Sequence, residues 1–197
     1  MVMPQGLLHI AQFERMTMQD FILKQSDIKH KGLVFDLKVD RIQYNESGNL
    51  AVREVAVHGG GAVVVPVTAE GKIVFVKQFR YPLQNTVLEL PAGKLDINED
   101  PMVCARRELA EETGYRSDNI TKLGKICTTP GFCTEILHIY MAKDLVPGNH
   151  NREEGEIGMQ IYEYSLSQID ELVREGILMD GKTLSGILLY KTIAANQ

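Results

Sequence analysis

The sequence has little of what would mark a disulfide-stapled, membrane-spanning or nucleic-acid-coating protein. Its 197 residues include three cysteines, Cys104, Cys127 and Cys133. They are odd in number and contain no C-x-x-C pair, which argues against a disulfide framework and a structural zinc site. No apolar run approaches the roughly 20 residues that a bilayer-spanning helix needs. The opening MVMPQGLLHIAQFERMTMQD lacks the basic and long apolar regions of a secretory leader, so a cytoplasmic location is expected. Basic charge is not in excess: the formal net charge is -5, which argues against a general nucleic-acid binder. The five histidines, at 9, 30, 58, 138 and 150, are scattered and suggest no shared metal site. No internal repeat or low-complexity tract stands out.

What is present suits a folded core. Hydrophobic residues make up 44% and charged residues 24%, enough for one globular domain with an accessory segment. Residues 19–57 read as extended segments, DFILKQSDIKHKG, LVFDLKVDRIQYN and LAVREVAVH, with a turn at Glu46-Ser47-Gly48-Asn49. In the middle segment Val34, Asp36, Lys38 and Asp40 alternate with Leu33, Phe35, Leu37 and Val39, as on a half-buried antiparallel strand. Gly59-Gly60-Gly61 precedes the apolar run AVVVPV. Without a following Gly-Lys-Ser/Thr, the triple glycine reads as a bulge or close backbone approach rather than a phosphate loop.

Further strands are expected in KIVFVKQFRYP, TVLELPAG, KLGKICTTP, ILHIYMAKDL and GMQIYEYSL. From Asp100 to Thr113 the pattern turns helical, with Met102, Ala105 and Leu109 as an apolar stripe and Gly114 placed to end it. SQIDELVREG reads as a second helix with Ser167 as its N-cap. A third begins near Asp180 or Thr183 and runs to Ala195. Mixed strands and helices predict a layered α/β or α+β domain.

The chemistry concentrates in the first helix. Glu108 and Glu112 are one turn apart and Glu111 lies beside them, so three carboxylates are expected on one side. A solvated acidic face is the alternative. Like charges at i and i+4 repel, and negative charge near a helix C-terminus is disfavoured, each by about a few tenths of a kcal/mol. Arg107 offsets part of this repulsion. A hard divalent cation would offset it better, since such ions prefer clustered oxygen ligands.

The segment from Gly93 through Glu99, Arg107-Glu108-Leu109, Glu111-Glu112 and Gly114-Tyr115 resembles the Nudix box. It departs at its last position, where Tyr115 replaces an aliphatic residue. Seven fixed identities at about 6% each would coincide on the order of once in 10⁸ to 10⁹ starting positions. The resemblance implies an α/β fold, an α/β/α sandwich with a mixed sheet, spanning residues 58–197. It also implies an N-terminal antiparallel strand module within residues 1–57. It assigns Glu108, Glu111 and Glu112 to metal binding, Arg107 to orienting one of them, and Glu99 to fixing the loop. Mg²⁺ or Mn²⁺ is the implied cofactor, serving to neutralise a diphosphate, position water and stabilise the leaving phosphate.

The flanking pieces VREVAVHGGGAVVVPV, FVKQFRYPLQNTVLELPAGKLD, TTPGFCTEILHIYMAKDL, REEGEIGMQIYEYSL and GKTLSGILLY resemble the ADP-ribose pyrophosphatase branch. Pro130, 15 residues beyond Tyr115, matches a proline of that branch and reads alternatively as a simple turn. Phe132 and Glu135 lie in the same family-like loop. The resemblance assigns Arg53 and Arg80 to the substrate's phosphates or adjoining ribose, and Glu54 and Glu89 to nearby polar contacts. Charges paired across the sheet are the alternative for both glutamates. Ala92 would offer its backbone carbonyl to a metal. Glu154 would serve as base and Glu156 as a further metal ligand, and the two could exchange roles, with a solvated acidic turn as the rival reading.

The expected reaction converts ADP-ribose or a related ADP-sugar to AMP and a sugar phosphate. Another nucleoside diphosphate sugar such as GDP-mannose is the nearer alternative, and a non-catalytic nucleotide-sensing module the more distant one. The expected partner is the small-molecule substrate, with no nucleic acid and no membrane. The strand module is expected to join two copies as a homodimer. Residues 1–18 have no clear counterpart in that branch.

Overall fold

The computed structural model describes residues 20–149 and 158–194. The chain divides after Ala56 into two compact units. The first is an antiparallel sheet of β1 (Phe21–His30), β2 (Asp36–Tyr44) and β3 (Leu50–Val57), with β2 in the middle. β2 begins at Asp36 rather than Leu33. Residues 31–35 instead form the connection from β1, where the Gly32 N–H donates to Asp36 Oδ1 at 3.2 Å. The expected alternation gives way to uniform half-burial over residues 36–40.

The second unit is built on β4 (Gly61–Pro66), whose six residues are all buried. Its unbroken apolar run is what a strand covered on both faces requires. β4 pairs in parallel with β10 (Ile136–Lys143) and antiparallel with β7 (Ala92–Lys94), and β9 (Asn119–Cys127) lies beyond β10. A three-stranded sheet, β12 (Gln160–Tyr164), β5 (Ile73–Arg80) and β6 (Asn85–Glu89), is antiparallel throughout. A small pair joins β8 (Tyr115–Arg116) to β11 (Val146–Pro147).

Helices cover β4 on both faces. Ala62 and Val64 pack under α1 (Pro101–Thr113) against Cys104, Ala105 and Leu109. Val63 and Val65 face the larger cluster containing Phe75, Leu90 and Ile139, with Ile169 from α2 (Leu166–Arg174) and Ile187 and Tyr190 from α3 (Gly181–Ala194). This is the expected mixed-sheet α/β/α sandwich.

Two local expectations change. TVLELPAG is two strands rather than one: β6 ends at Glu89, and after Pro91 the chain enters the other sheet as β7. The Pro91 carbonyl accepts from Val64 N at 2.9 Å, which anchors the crossing. The cap of α2 is Ser165, not Ser167. Ser165 accepts from Gln168 N while the Gln168 side chain reaches back to Ser165 N, a reciprocal box that Ser167 cannot form from inside the first turn. The final helix begins at Gly181, between the two expected starting points. The triple glycine serves close backbone approach: a Cβ on Gly60 would stand 2.7 Å from the Ile136 carbonyl oxygen, and one on Gly61 2.6 Å from that of Gly93.

Candidate active site

Helix α1 carries the acidic constellation and is fixed at both ends. Asp100 caps it by accepting from Met102 N at 2.8 Å, Pro101 occupies its first turn, and Gly114 ends it at a positive φ of 76°. This register turns Glu108 and Glu112 inward, where both are buried. Glu111 is more exposed.

Arg107 organises the acids. Its guanidinium makes a forked pair with Glu99, Nε to Oε1 and Nη2 to Oε2, both at 3.0 Å. Nη1 donates to Glu108 at 2.6 Å and to Glu111 at 3.1 Å, while Nη2 also reaches the Lys94 carbonyl at 3.1 Å. The loop before the helix is thereby tied to the carboxylates upon it. Arg107 holds the Glu99 carboxyl down at about 2, and Glu99 in turn raises the Arg107 guanidinium above its ordinary value.

The loop backbone presses against the same acids. A Cβ on Gly93 would overlap the Glu108 carboxylate, so this position accepts no larger side chain without displacement. Glu112 Oε2 accepts from Ala92 N at 3.2 Å. Beneath the loop, the Cys104 thiol approaches the carbonyls of Gly93 and Lys94 at 3.7 and 3.4 Å, and burial pushes it up to about 12. Cys104 is therefore packing rather than a nucleophile.

The three carboxylates suit a hard divalent cation by donor chemistry. All supply oxygen, two are buried, and the one positive charge of Arg107 is divided among Glu99, Glu108 and Glu111. Among the described residues they do not close into a three-ligand cage. Glu108 and Glu111 instead turn to Arg107, and Glu112 bonds Ala92 N.

A cleft of about 630 Å³ opens beside this loop. Ala92, Gly93 and Lys94 line one part of it, Glu135 another, and Arg80, Glu89 and Lys182 a third. Arg80 grips the buried Glu89 with both arms, Nε to Oε1 at 2.7 Å and Nη2 to Oε2 at 2.6 Å, and this raises the Arg80 guanidinium. Glu135 lies 3.3 Å from His58 Nδ1, and Thr134 bonds the backbone of His58 on both sides.

Each of the remaining expected residues has its own setting. Phe132 is exposed in a turn that follows Pro130, where Phe132 N and Cys133 N both donate to the Thr129 carbonyl. Arg53 and Glu54 lie on β3 in the first unit, where Arg53 bonds the Tyr44 hydroxyl and stacks over its ring at 5.9 Å. Glu154 and Glu156 lie outside the described residues. Tyr115, the departure from the box, packs its ring against the α1 cluster and donates its hydroxyl to Glu163 at 3.1 Å. Sequence reasoning missed Lys182 and Asp180. GKTLSGILLY is a family-like piece, but nothing in its pattern announces a partner 93 residues earlier.

An α/β/α sandwich carrying an acidic loop–helix–loop beside an arginine-lined cleft is a scaffold for phosphoanhydride hydrolysis. The chain belongs to the NUDIX family, whose domain matches residues 57–176. It is 41% identical over 158 residues to the ADP-ribose pyrophosphatase of Bacillus subtilis (strain 168), covering 79% of this chain and 84% of that one. It is 37% identical over 162 residues to the methanol dehydrogenase activator of Bacillus methanolicus, again covering 79% and 84%. A solved ADP compounds hydrolase shares the fold, with a TM-score of 0.80 over 91% of this chain and 96% of that one at 17% identity.

Proposed function

We propose that the protein is a metal-dependent pyrophosphohydrolase that cleaves ADP-ribose, or a related ADP-sugar, to AMP and a sugar phosphate. The observation that carries this reading is the Arg107-centred carboxylate cluster held against the Ala92–Lys94 loop, which lines a cleft whose wall also presents Arg80. The likeness to an ADP-ribose pyrophosphatase over most of the chain supports the substrate class.

In this reading Glu108, Glu111 and Glu112 hold Mg²⁺ or Mn²⁺, with the Ala92 carbonyl as a further ligand. Bound there, a divalent cation neutralises the diphosphate and lowers the pKa of an attacking water. Arg107 and Glu99 keep the loop and the acids in register. Arg80 holds a substrate phosphate or the adjoining ribose, and Glu89 acts as its counter-ion. Phe132 and Glu135 belong to the substrate loop, and Arg53 and Glu54 are assigned to the substrate by family resemblance. Glu154 takes the proton of the attacking water, and Glu156 completes the metal set.

We also assign the protein to the cytoplasm, consistent with three free cysteines, and to a homodimer formed through the strand unit. Exposed apolar side chains there, including Leu33, Leu50 and Val52, support that assembly. No described helix is long and apolar enough to cross a membrane.

The test is turnover of purified protein on a panel of ADP- and GDP-sugars with Mg²⁺ or Mn²⁺. AMP with ribose phosphate from ADP-ribose, lost on chelation and restored by either ion, is the expected outcome. Preferential cleavage of GDP-mannose would move the assignment to the other nucleotide sugar. Binding of ADP-ribose without cleavage would indicate a sensor.

A further inference from the structure

Lys182 stands at the second position of α3, and its ammonium is committed to two carboxylates, those of Glu89 and Asp180, the latter at 2.9 Å. Asp180 is itself fixed, because the same oxygen accepts from Thr183 N at 3.0 Å. The helix start is therefore stitched to the end of β6 at two adjacent points. Lys182 reaches the Glu89 side chain, and the buried Thr183 hydroxyl accepts from Leu90 N at 2.8 Å.

The Glu89 carboxylate is the junction. Its Oε2 is shared by Lys182 and Arg80 Nη2, while its Oε1 takes Arg80 Nε. A terminal carboxylate is a broad rotor, and a forked guanidinium pair demands that the two planes coincide. Whatever fixes the Glu89 plane therefore fixes the Arg80 plane. Glu89 is the interior member of this chain, with its side chain 3% exposed, whereas Lys182 at 14% and Arg80 at 40% flank it along the cleft wall, Lys182 with its ammonium turned to the two carboxylates. Lys182 is thus placed to act through Glu89 on Arg80.

We propose that Lys182 is a positioning residue, holding the Glu89 carboxylate so that Arg80 presents its guanidinium to the anionic portion of the substrate. This rests on the reading of Arg80 as a substrate-holding cation. The ammonium stabilises the buried carboxylate without competing for the forked geometry, because it acts as a point charge on a single oxygen.

The test is a double-mutant cycle on the metal-loaded enzyme, reading KM and kcat separately for ADP-ribose. Lys182→Met is expected to raise KM by about 10-fold with kcat within about two-fold, while Lys182→Arg restores most of the KM. In an Arg80→Ala background, Lys182→Met is expected to change KM by less than about two-fold, the signature of one acting through the other. Thr183→Val, which breaks the neighbouring stitch, is expected to lower Tm and leave KM within about two-fold, which separates positioning from helix docking.

Equal KM effects of Lys182→Met in both backgrounds, or an unchanged KM while Arg80→Ala raises it, would overturn the positioning role and leave the role of Arg80 intact. An unchanged KM in Arg80→Ala would remove the role of Arg80 and the positioning role with it. Lys182→Gln is measured beside Lys182→Met, and failure of both to fold while Thr183→Val folds would assign Lys182 to stability and overturn the proposal.

Discussion

Gly93 and Glu108 occupy adjoining space so closely that a Cβ on the first would overlap the carboxylate of the second. The loop can therefore seat against the helix with Glu108 in this position because position 93 has no side chain, and Arg107 locks the fit by bonding both Glu108 and the Lys94 carbonyl. Gly93→Ala must displace the carboxylate or the loop. A shift of this kind costs on the order of 100-fold in kcat/KM. Steady-state kinetics beside a circular dichroism melt would show lost turnover in a protein that remains folded.

The Glu99 carboxyl titrates at about 2 when folded, against an ordinary 4.5, chiefly because Arg107 hydrogen-bonds it. Because the folded value is the lower one, this pair contributes stability above about pH 4.5. That contribution is lost as pH falls toward 2, where the unfolded chain binds the proton first. Thermal melts over this range should show a steeper fall in Tm for the native protein than for Arg107→Gln. Parallel curves would remove the pair from the acid response.

Thiol chemistry should discriminate among the cysteines. Burial pushes Cys104 up to about 12, whereas Cys127 is exposed. At pH 8, iodoacetamide followed by peptide mass spectrometry should label Cys127 in the folded protein, with Cys104 labelled only after denaturation.

Thr183→Val removes the hydroxyl that accepts from Leu90 N in a fully buried position. An unsatisfied buried N–H costs about 1–3 kcal/mol, which denaturant titration would detect as a lower midpoint with an unchanged slope.

The acidic helix was legible because its chemistry is local. Glu108, Glu111 and Glu112 share one α-helix, so spacing alone sets their relative directions, and Asp100, Pro101 and Gly114 mark its ends. The apolar run of β4 likewise declared a strand covered on both faces. Legibility failed where partners are distant or signals compete. Lys182 and Glu89 are 93 residues apart, and neither segment carries a pattern that names the other. Ser165 and Ser167 both offer a capping hydroxyl, and Gln168 decides between them through a bond back to the Ser165 backbone. In TVLELPAG, β propensity continues toward Pro91, but hydrogen bonding passes from one sheet to the other there.

Product analysis of ADP-ribose turnover by the native protein and by Glu112→Gln, with Mg²⁺, tests the central claim most directly. Glu112 is buried and bonds Ala92 N, so the amide keeps its volume while losing its charge. The expected result is AMP and ribose phosphate from the native protein, with kcat in Glu112→Gln reduced on the order of 100-fold or more. Direct release of inorganic phosphate without a sugar phosphate, or native turnover in Glu112→Gln, would contradict it.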